Sequence, residues 1–353
     1  MRQIPINEIT GQEVLARDLV NEAGIILMVR GTVVKREYIE RLRLLNIDTV
    51  FVQDKYETGI KMDEITELQI ADQCQLKVKE TLQQFVAYGD NQLTPIIGIA
   101  ENIVSDVLKQ SEIMYNVCGI REKSDSMFAH SLNVCALSVF IAIRMKMSQD
   151  KIHDIAVGSL LHDIGITYYK NNYSHTSYND LTPEQYLEYK KHVIYGYSLL
   201  EHEDWLSPLA KDIVLSHHER MDGSGYPFGI SGKRVKKATR IVAICDAFDS
   251  LVYGNMCNRL KVYEAIEYII SEADHKYDLA IVKVFHDSVA AYPTGSIVRT
   301  NRGDKAIVLG QNRKCPTRPI LRLLENSAGV EYKEWVEQDL TKELTLFIED
   351  TDL

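Results

Sequence analysis

Hydrophobic and polar positions divide this chain into three stretches with different periods. From Ile4 to Val52 the apolar runs are short and broken by turn residues. Glu13 to Leu19, Gly24 to Val29 and Thr32 to Val34 predict small strands, Lys35 to Leu45 a helix, and Asp48 to Val52 a closing strand. Lys55 to Asp63 is polar and reads as a linker. Between Glu64 and Tyr115 apolar residues recur at helical spacing, at Leu68, Ile70, Leu76, Val78, Leu82 and Phe85. The turn Gly89-Asp90-Asn91 separates these from a second helix over Pro95 to Leu108. Helices are then predicted over Ser131 to Lys146, Ile152 to Leu161, Pro183 to Glu201, Leu206 to Ser216 and Lys237 to Tyr253. After Tyr292-Pro293 the period changes again. Ser296 to Thr300, Lys305 to Leu309 and Ile320 to Leu324 predict strands, with Asn301-Arg302-Gly303-Asp304 as a hairpin turn and Leu344 to Ile348 as a final strand.

The fold class that follows is mainly α. An all-helical middle is flanked by a small α+β N-terminal domain and a small β-rich C-terminal domain. The expected boundaries are 1–54 for the first domain, 55–120 for a helical connecting segment, 121–290 for the helical domain and 291–353 for the last. At 353 residues more than one domain is expected, because single cores stop growing near roughly 250–300 residues.

Composition narrows the function classes. Hydrophobic content of 45% and charged content of 25% are those of an ordinary globular chain. No apolar stretch approaches the roughly 20 residues that span a bilayer, and Met1-Arg2-Gln3-Ile4-Pro5 lacks the apolar region of a secretory signal. The six cysteines (Cys74, Cys118, Cys135, Cys245, Cys257, Cys315) have no paired spacing, which fits a reduced cytoplasm. A formal charge of −10 argues against a DNA-backbone binder working through bulk charge. No membrane partner is expected. An anionic substrate would need local neutralisation, which metal ions provide.

The candidate chemistry lies in the helical middle. His217-His218 cannot both face the core on the one stripe of an amphipathic helix. His162-Asp163 opens the turn Ile164-Gly165 after an apolar run. Neutral imidazoles and carboxylates together are what divalent transition metals accept as ligands. Taken alone, His162-Asp163 is a helix-end polar pair, His130 a cap or surface residue, and His192 a helix-surface residue. His153-Asp154 and His286-Asp287 are the same doublet without company, and read as solvated. Asp246 differs, because it interrupts the otherwise apolar helix Ile241 to Val252, and buried charges are paired or metal-bound. Asp249, one turn later, could orient a histidine.

The set His130-Ser131, His162-Asp163-Ile164-Gly165, His192 with Gly196, His217-His218-Glu219-Arg220, Asp222-Gly223-Ser224-Gly225-Tyr226-Pro227 and Arg240-Ile241 through Asp246-Ala247-Phe248-Asp249 resembles the HD-GYP phosphodiesterases. These are a branch of the HD hydrolase superfamily that cleaves cyclic di-GMP. The resemblance spans about Lys123 to Asp278, and implies an HD-type helical bundle. It implies one metal held by His130, His162, Asp163 and Asp246, and a second held by Asp163, His192, His217 and His218, with Asp163 bridging. His162 and Asp163 are then the catalytic residues, and a hydroxide shared by the two metals attacks phosphorus. Iron or manganese is the expected pair, with magnesium, zinc, nickel or cobalt compatible. A diguanylate cyclase domain or other signalling protein is the implied partner, through the Gly-Tyr-Pro loop, and a homodimer is left open.

The chain also departs from that pattern. Ile166 stands where the family has the lysine that contacts the substrate phosphate, a loss that typically costs about 3–4 kcal/mol, or 100- to 1000-fold in rate. Asn255-Met256-Cys257-Asn258-Arg259 replaces the family's Arg-Pro-Tyr-Arg/Lys segment, leaving Arg259 as a candidate phosphate contact. Ser126 replaces the glutamate of three-metal members, so two metals are expected. Arg220, Lys233 and Lys170 are the cations that could substitute for the missing lysine. Tyr226 would either stack on a guanine base or shape its own loop.

Three readings follow. The first is a metal-dependent hydrolase opening cyclic di-GMP to pGpG and onward to GMP. The second is a catalytically weak receptor for the nucleotide or a partner protein. The third is a hydrolase for another cyclic dinucleotide or a phosphomonoester.

Overall fold

The computed structural model of the chain describes residues 2–16, 18–20, 26–45, 47, 49–53, 77–78, 80–82, 93–109, 127–169, 177–312 and 315–351. The linker 55–63, most of the helical pattern between 64 and 92, Ser126 and Lys170 lie outside them. The chain forms two compact units, residues 63–293 with 311–319, and residues 1–62 with 294–310 and 320–353.

The first unit is helical. Helix α2 is Pro95–Lys109, α3 Met127–Arg144, α4 Gln149–Leu161, α5 Pro183–Tyr189, α6 His192–Leu200, α7 Pro208–Ser216, α8 Lys237–Tyr253, α9 Val262–Ser271 and α10 Leu279–His286. Helix α3 packs against α4 and α8, and α4 also packs against α2 and α7. A helix surrounded in this way is apolar on every side. Over its 18 residues α3 is as apolar as a membrane span, yet 72% of it is buried inside the protein, the place of a core helix. Phe140, Ile155, Leu161, Ile241, Phe248 and Phe285 belong to the one core these helices share.

Local chemistry sets the helix ends. Thr182 accepts from the backbone N–H of Gln185 while Gln185 accepts from that of Thr182, and Pro183 occupies the first helical position. Ser207 and Pro208 begin α7 in the same manner, and Asp278 caps α10. Helix α8 ends at Gly254, whose φ of 76° is left-handed. The helix expected over Pro183 to Glu201 is broken at Lys190-Lys191, so that His192 opens α6 instead of lying inside a longer helix. The break brings the His192 ring back onto the Tyr189 carbonyl. Helices α9 and α10 follow where no element was predicted.

The other unit carries small sheets. Strand β1 (Arg2–Pro5) pairs antiparallel with β4 (Thr49–Val52), placing Ile4 opposite Val50, and β2 (Leu19–Val20) pairs with β3 (Ile26–Met28). Helix α1 (Ile39–Leu44) adds Leu42 to their core of Ile6, Leu15, Val34 and Val50. Strand β1 was not anticipated, since four residues alternating around Pro5 carry too little pattern. Near the C-terminus, β5 (Ile297–Thr300), β6 (Lys305–Gly310), β7 (Ile320–Glu325), β8 (Glu331–Asp339) and β9 (Ile348–Thr351) form an antiparallel sheet in the order β8-β7-β6-β5-β9. The last strand begins at Ile348, not Leu344, because Asn301 holds Phe347 and Thr345 through its side chain and turns that segment away from the ladder. The charged edge strand β8 was missed because it has no buried face to imprint an apolar alternation.

Candidate metal centre

Five helix ends and interiors deliver seven side chains to one buried place. His130 comes from the first turn of α3, His162 and Asp163 from the C-terminal end of α4, His192 from the start of α6, His217 and His218 from just beyond α7, and Asp246 from the middle of α8. All seven are buried. Because α7 ends at Ser216, the backbone leaves the helix over the histidine doublet, and both rings turn to the same side.

Asp163 is the hinge of the arrangement. Its Oδ2 lies 3.7 Å from His130 Nε2 and 3.5 Å from His162 Nε2. Its Oδ1 lies 3.4 Å from His192 Nε2 and 3.7 Å from His217 Nε2. Asp246 Oδ1 lies 3.2 Å from His130 Nε2, and Oδ2 lies 3.6 Å from His218 Nδ1. Two donor groups result, His130, His162 and Asp163 in one, and Asp163, His192, His217 and His218 in the other. Asp163 is common to both.

The histidines are held from behind. His162 Nδ1 donates to the Ser159 carbonyl at 2.7 Å, His192 Nδ1 to that of Tyr189 at 2.7 Å, and His217 Nδ1 to that of Val214 at 3.0 Å. Each Nε2 is therefore a lone-pair acceptor pointing inward. His130 Nδ1 meets Asp249 Oδ2 at 2.6 Å, and Asn133 Nδ2 donates to the other Asp249 oxygen at 2.9 Å. Asp249 thus orients a histidine, the role open to it one turn beyond Asp246.

The donor set fits divalent cations. His192 Nε2 and His217 Nε2 face each other at 3.5 Å, and both face a carboxylate oxygen, so acceptors are buried against acceptors. His218 Nε2 is buried without a hydrogen-bond partner. Ligand atoms at about 2.0–2.2 Å from one tetrahedral ion sit roughly 3.3–3.6 Å from one another. The observed separations, 3.2–3.7 Å, span that range. A cation in each group would turn every one of these repulsive or orphaned contacts into a bond.

Electrostatics follow the same division. Burial works against ionising Asp163, but His162, His217 and His192 outweigh it and hold the carboxyl well below its ordinary range. Burial likewise opposes Asp246 and is overcome by its hydrogen bond to His130 and by His218. Burial alone would lower His130, yet hydrogen bonds to Asp246 and Asp249 raise it to about 10. Burial lowers His192 to about 4, and also lowers His162 and His218.

The centre opens into a cavity of about 320 Å³ that His130, Asp163, His218 and Asp246 reach. Arg220 lines it, with its guanidinium over the Tyr277 ring at 5.3 Å. Ile166 forms part of the wall, and Leu251 and Met256 are further apolar residues that line it. Tyr226 and Arg259 are not among the residues that line it. Tyr226 stacks on His218, with ring centroids 4.6 Å apart, which is the loop-shaping role open to it from sequence. Arg259 turns back to the end of α8, where its Nε donates to the Val252 carbonyl at 3.1 Å. Lys233 is exposed on a short 3-10 turn, and His153 and His286 stand outside the cluster.

Two features carried a weaker signal. Buried Glu219 accepts from the backbone N–H groups of Phe228 at 2.7 Å and Ile230 at 3.1 Å, so it pins the loop that follows the histidine doublet. Its place in a doublet-acid motif marked it without disclosing this role. Gly165 and Gly225 are required by close approach. A Cβ at Gly165 would lie 1.9 Å from the His192 carbonyl oxygen, and one at Gly225 would lie 2.4 Å from that of His218. The cavity's tyrosines, Tyr178, Tyr189, Tyr268 and Tyr277, had no local pattern to mark them.

Comparison with known proteins places this geometry. Residues 108–294 match the family model described as HD domain, and residues 297–352 match that described as KOW domain associated with HD domain. The chain is 26% identical over 227 residues to the cyclic di-GMP phosphodiesterase PA4108 of Pseudomonas aeruginosa, covering 64% of this chain and 54% of that protein. It is 31% identical over 153 residues to 3'3'-cGAMP-specific phosphodiesterase 2 of Vibrio cholerae, covering 42% and 29%. The chain therefore spans about half or less of the length of these relatives. Among solved structures, Bd1817, an HDG"Y"P protein from Bdellovibrio bacteriovorus, shares the fold with a TM-score of 0.56 at 19% identity, over 81% of this chain and 98% of that one.

Proposed function

Since the chain belongs to the HD-domain family, whose model covers more than half of it, we propose that it is a metal-dependent phosphodiesterase acting on a cyclic dinucleotide. Cyclic di-GMP opening to linear pGpG, and onward to GMP, is the reading favoured. The observation that carries it is Asp163, whose two carboxylate oxygens each face a separate histidine pair at the floor of an open cavity. His130, His162, Asp163 and Asp246 would hold one divalent ion, and Asp163, His192, His217 and His218 the other. Such a pair supplies charge neutralisation at phosphorus and a nucleophile at neutral pH. The chain's own part is to fix donor positions through the Ser159, Tyr189 and Val214 carbonyls and Asp249, and to exclude bulk water from the floor. In the net reaction water's oxygen joins phosphorus, the bond from phosphorus to the 3′ oxygen breaks, and that oxygen takes up a proton.

Turnover by protein purified with manganese or iron, compared with a His162→Ala/Asp163→Ala control, tests the reading. No activity above that control would remove it.

A second reading is favoured by the cavity wall. Ile166 stands where the HD-GYP pattern has lysine, and Asn255, Met256 and Cys257 belong to the segment that replaces its Arg-Pro-Tyr-Arg/Lys run; all four line the cavity. A receptor would bind cyclic di-GMP in calorimetry and form no product. A parallel panel of cyclic dinucleotides separates the favoured substrate from cyclic GMP-AMP, the named substrate of the Vibrio cholerae relative.

A further inference from the structure

We propose that Arg220 is the phosphate-binding cation of the cavity, held over the Tyr277 ring so that its guanidinium takes the non-bridging oxygens of the bound ester. The phosphodiesterase reading supplies only the identity of that ester. The case for an anion at this position stands on the surroundings of Arg220 itself.

Among the described residues lining the cavity, Arg220 is the one lysine or arginine. Among the described residues no carboxylate lies within ion-pair distance of it. Its hydrogen bonds are two long ones from Nη1, to the His217 carbonyl at 3.4 Å and the Glu219 carbonyl at 3.5 Å. Nε and Nη2 have no protein acceptor among the described residues. The adjacent carboxylate that would be its natural partner, Glu219, is spent on the amides of Phe228 and Ile230.

Two other arginines withdrawn from solvent, Arg240 and Arg322, have carboxylate partners. Arg240 is paired with Asp278, and Arg322 lies 2.8 Å from Glu337 while covering Trp335. A charge withdrawn from water is ordinarily neutralised by a partner. At half-buried Arg220 the described residues provide an aromatic platform and no paired carboxylate, with Asp246 acting on it only through space. The platform holds the fork by cation–π contact. The fork's free edge then suits two oxygens of one phosphate. Ile166, apolar where the HD-GYP pattern has lysine, makes this guanidinium the cavity's remaining source of positive charge other than the ions.

The test measures binding, so it does not require turnover. Manganese-loaded protein is titrated by calorimetry with inorganic phosphate and with pGpG, and manganese content is assayed alongside. Arg220→Gln is expected to keep its manganese and to weaken both dissociation constants tenfold or more, with Arg220→Lys recovering part of the loss. Affinities for both probes within threefold of wild type in Arg220→Gln overturn the proposal, as does a wild-type protein that binds neither. Should Arg220→Gln lose manganese or fail to fold, Tyr277→Leu decides. It keeps the charge and removes the platform, so weakened binding with manganese retained supports the assignment, and unchanged binding overturns it. Protein that binds phosphate through Arg220 yet hydrolyses nothing would sink the phosphodiesterase reading and leave this inference standing.

Discussion

Gly165 packs against the backbone of His192 and Gly196 in α6, and replacing it with alanine is expected to damage the donor group that holds His192 and spare the other. A Cβ there would sit 1.9 Å from the His192 carbonyl oxygen and 2.6 Å from the Gly196 nitrogen, where ordinary contact begins at 3.4 Å. Both obstacles are backbone, so no side chain can rotate aside, and the start of α6 must withdraw by about 1.5 Å. Metal–ligand distances tolerate only about 0.2 Å. His192 Nε2, now 3.4 Å from Asp163 Oδ1, would leave the set that it forms with His217 and His218. The expected outcome is loss of one ion per chain, a fall in turnover of about 100-fold, and a stability cost of about 1–3 kcal/mol. Gly158→Ala, inside helix α4 and so ahead of the 3-10 turn that holds Gly165, is the control. Its Cβ would meet Ile213 Cδ1 at 2.9 Å, Ile213 Cβ at 3.0 Å and the Ala210 Cα at 3.1 Å, so α7 need give by only a few tenths of an ångström. The better helix propensity of alanine, about 1 kcal/mol, offsets the crowding there. Metal content after equilibrium dialysis, read beside urea unfolding, decides between them. Gly165→Ala with both ions retained and turnover within threefold of wild type would refute the reasoning.

Other outcomes follow from the same contacts. Glu219→Ala leaves the Phe228 and Ile230 amides without their buried acceptor, costing about 1–3 kcal/mol for each, and hydrogen exchange at those amides is expected to accelerate; unchanged protection would contradict the pinning role. Tyr226→Phe removes a buried hydroxyl that has no hydrogen-bond partner, so Tm should hold or rise and turnover should stay within threefold; a tenfold loss would place that phenol on the substrate. His130, raised to about 10 in the ion-free protein by Asp246 and Asp249 against the effect of burial, carries a proton at neutral pH that an incoming ion must displace. Affinity at its group should therefore climb with pH and level off near 10, with proton release visible in buffers of different ionisation enthalpy, and Asp249→Asn should shrink that release. His192, lowered by burial to about 4, acts in the opposite direction. Between 6.5 and about 4 the unfolded chain binds the proton that the native one refuses, so ion-free stability should fall with acid across that window in urea titrations.

What could be read from sequence was the chemistry of the ligands, and what could not was the wall around them. A histidine doublet and a lone aspartate in an apolar helix stand out because a single core stripe has no ordinary use for them, so His217, His218 and Asp246 were legible one by one. His192 was placed in a longer helix, because periodicity cannot register a two-residue break whose cause is the seating of its ring on the Tyr189 carbonyl. The same limit hid Arg259. A cation near the family's basic segment looks like a phosphate contact until the αL turn at Gly254 sends it back to the Val252 carbonyl. Tyr178, Tyr189, Tyr268 and Tyr277 converge on one cavity from two separate regions of the chain, and no local period connects them. Charge is where the two levels of reading meet. Sequence alone made Arg220 one of several cations available to replace a missing lysine. Structure separates it from Lys233, which is exposed, and from Arg240, which is paired, and leaves it half-buried over Tyr277 with no carboxylate at ion-pair distance among the described residues.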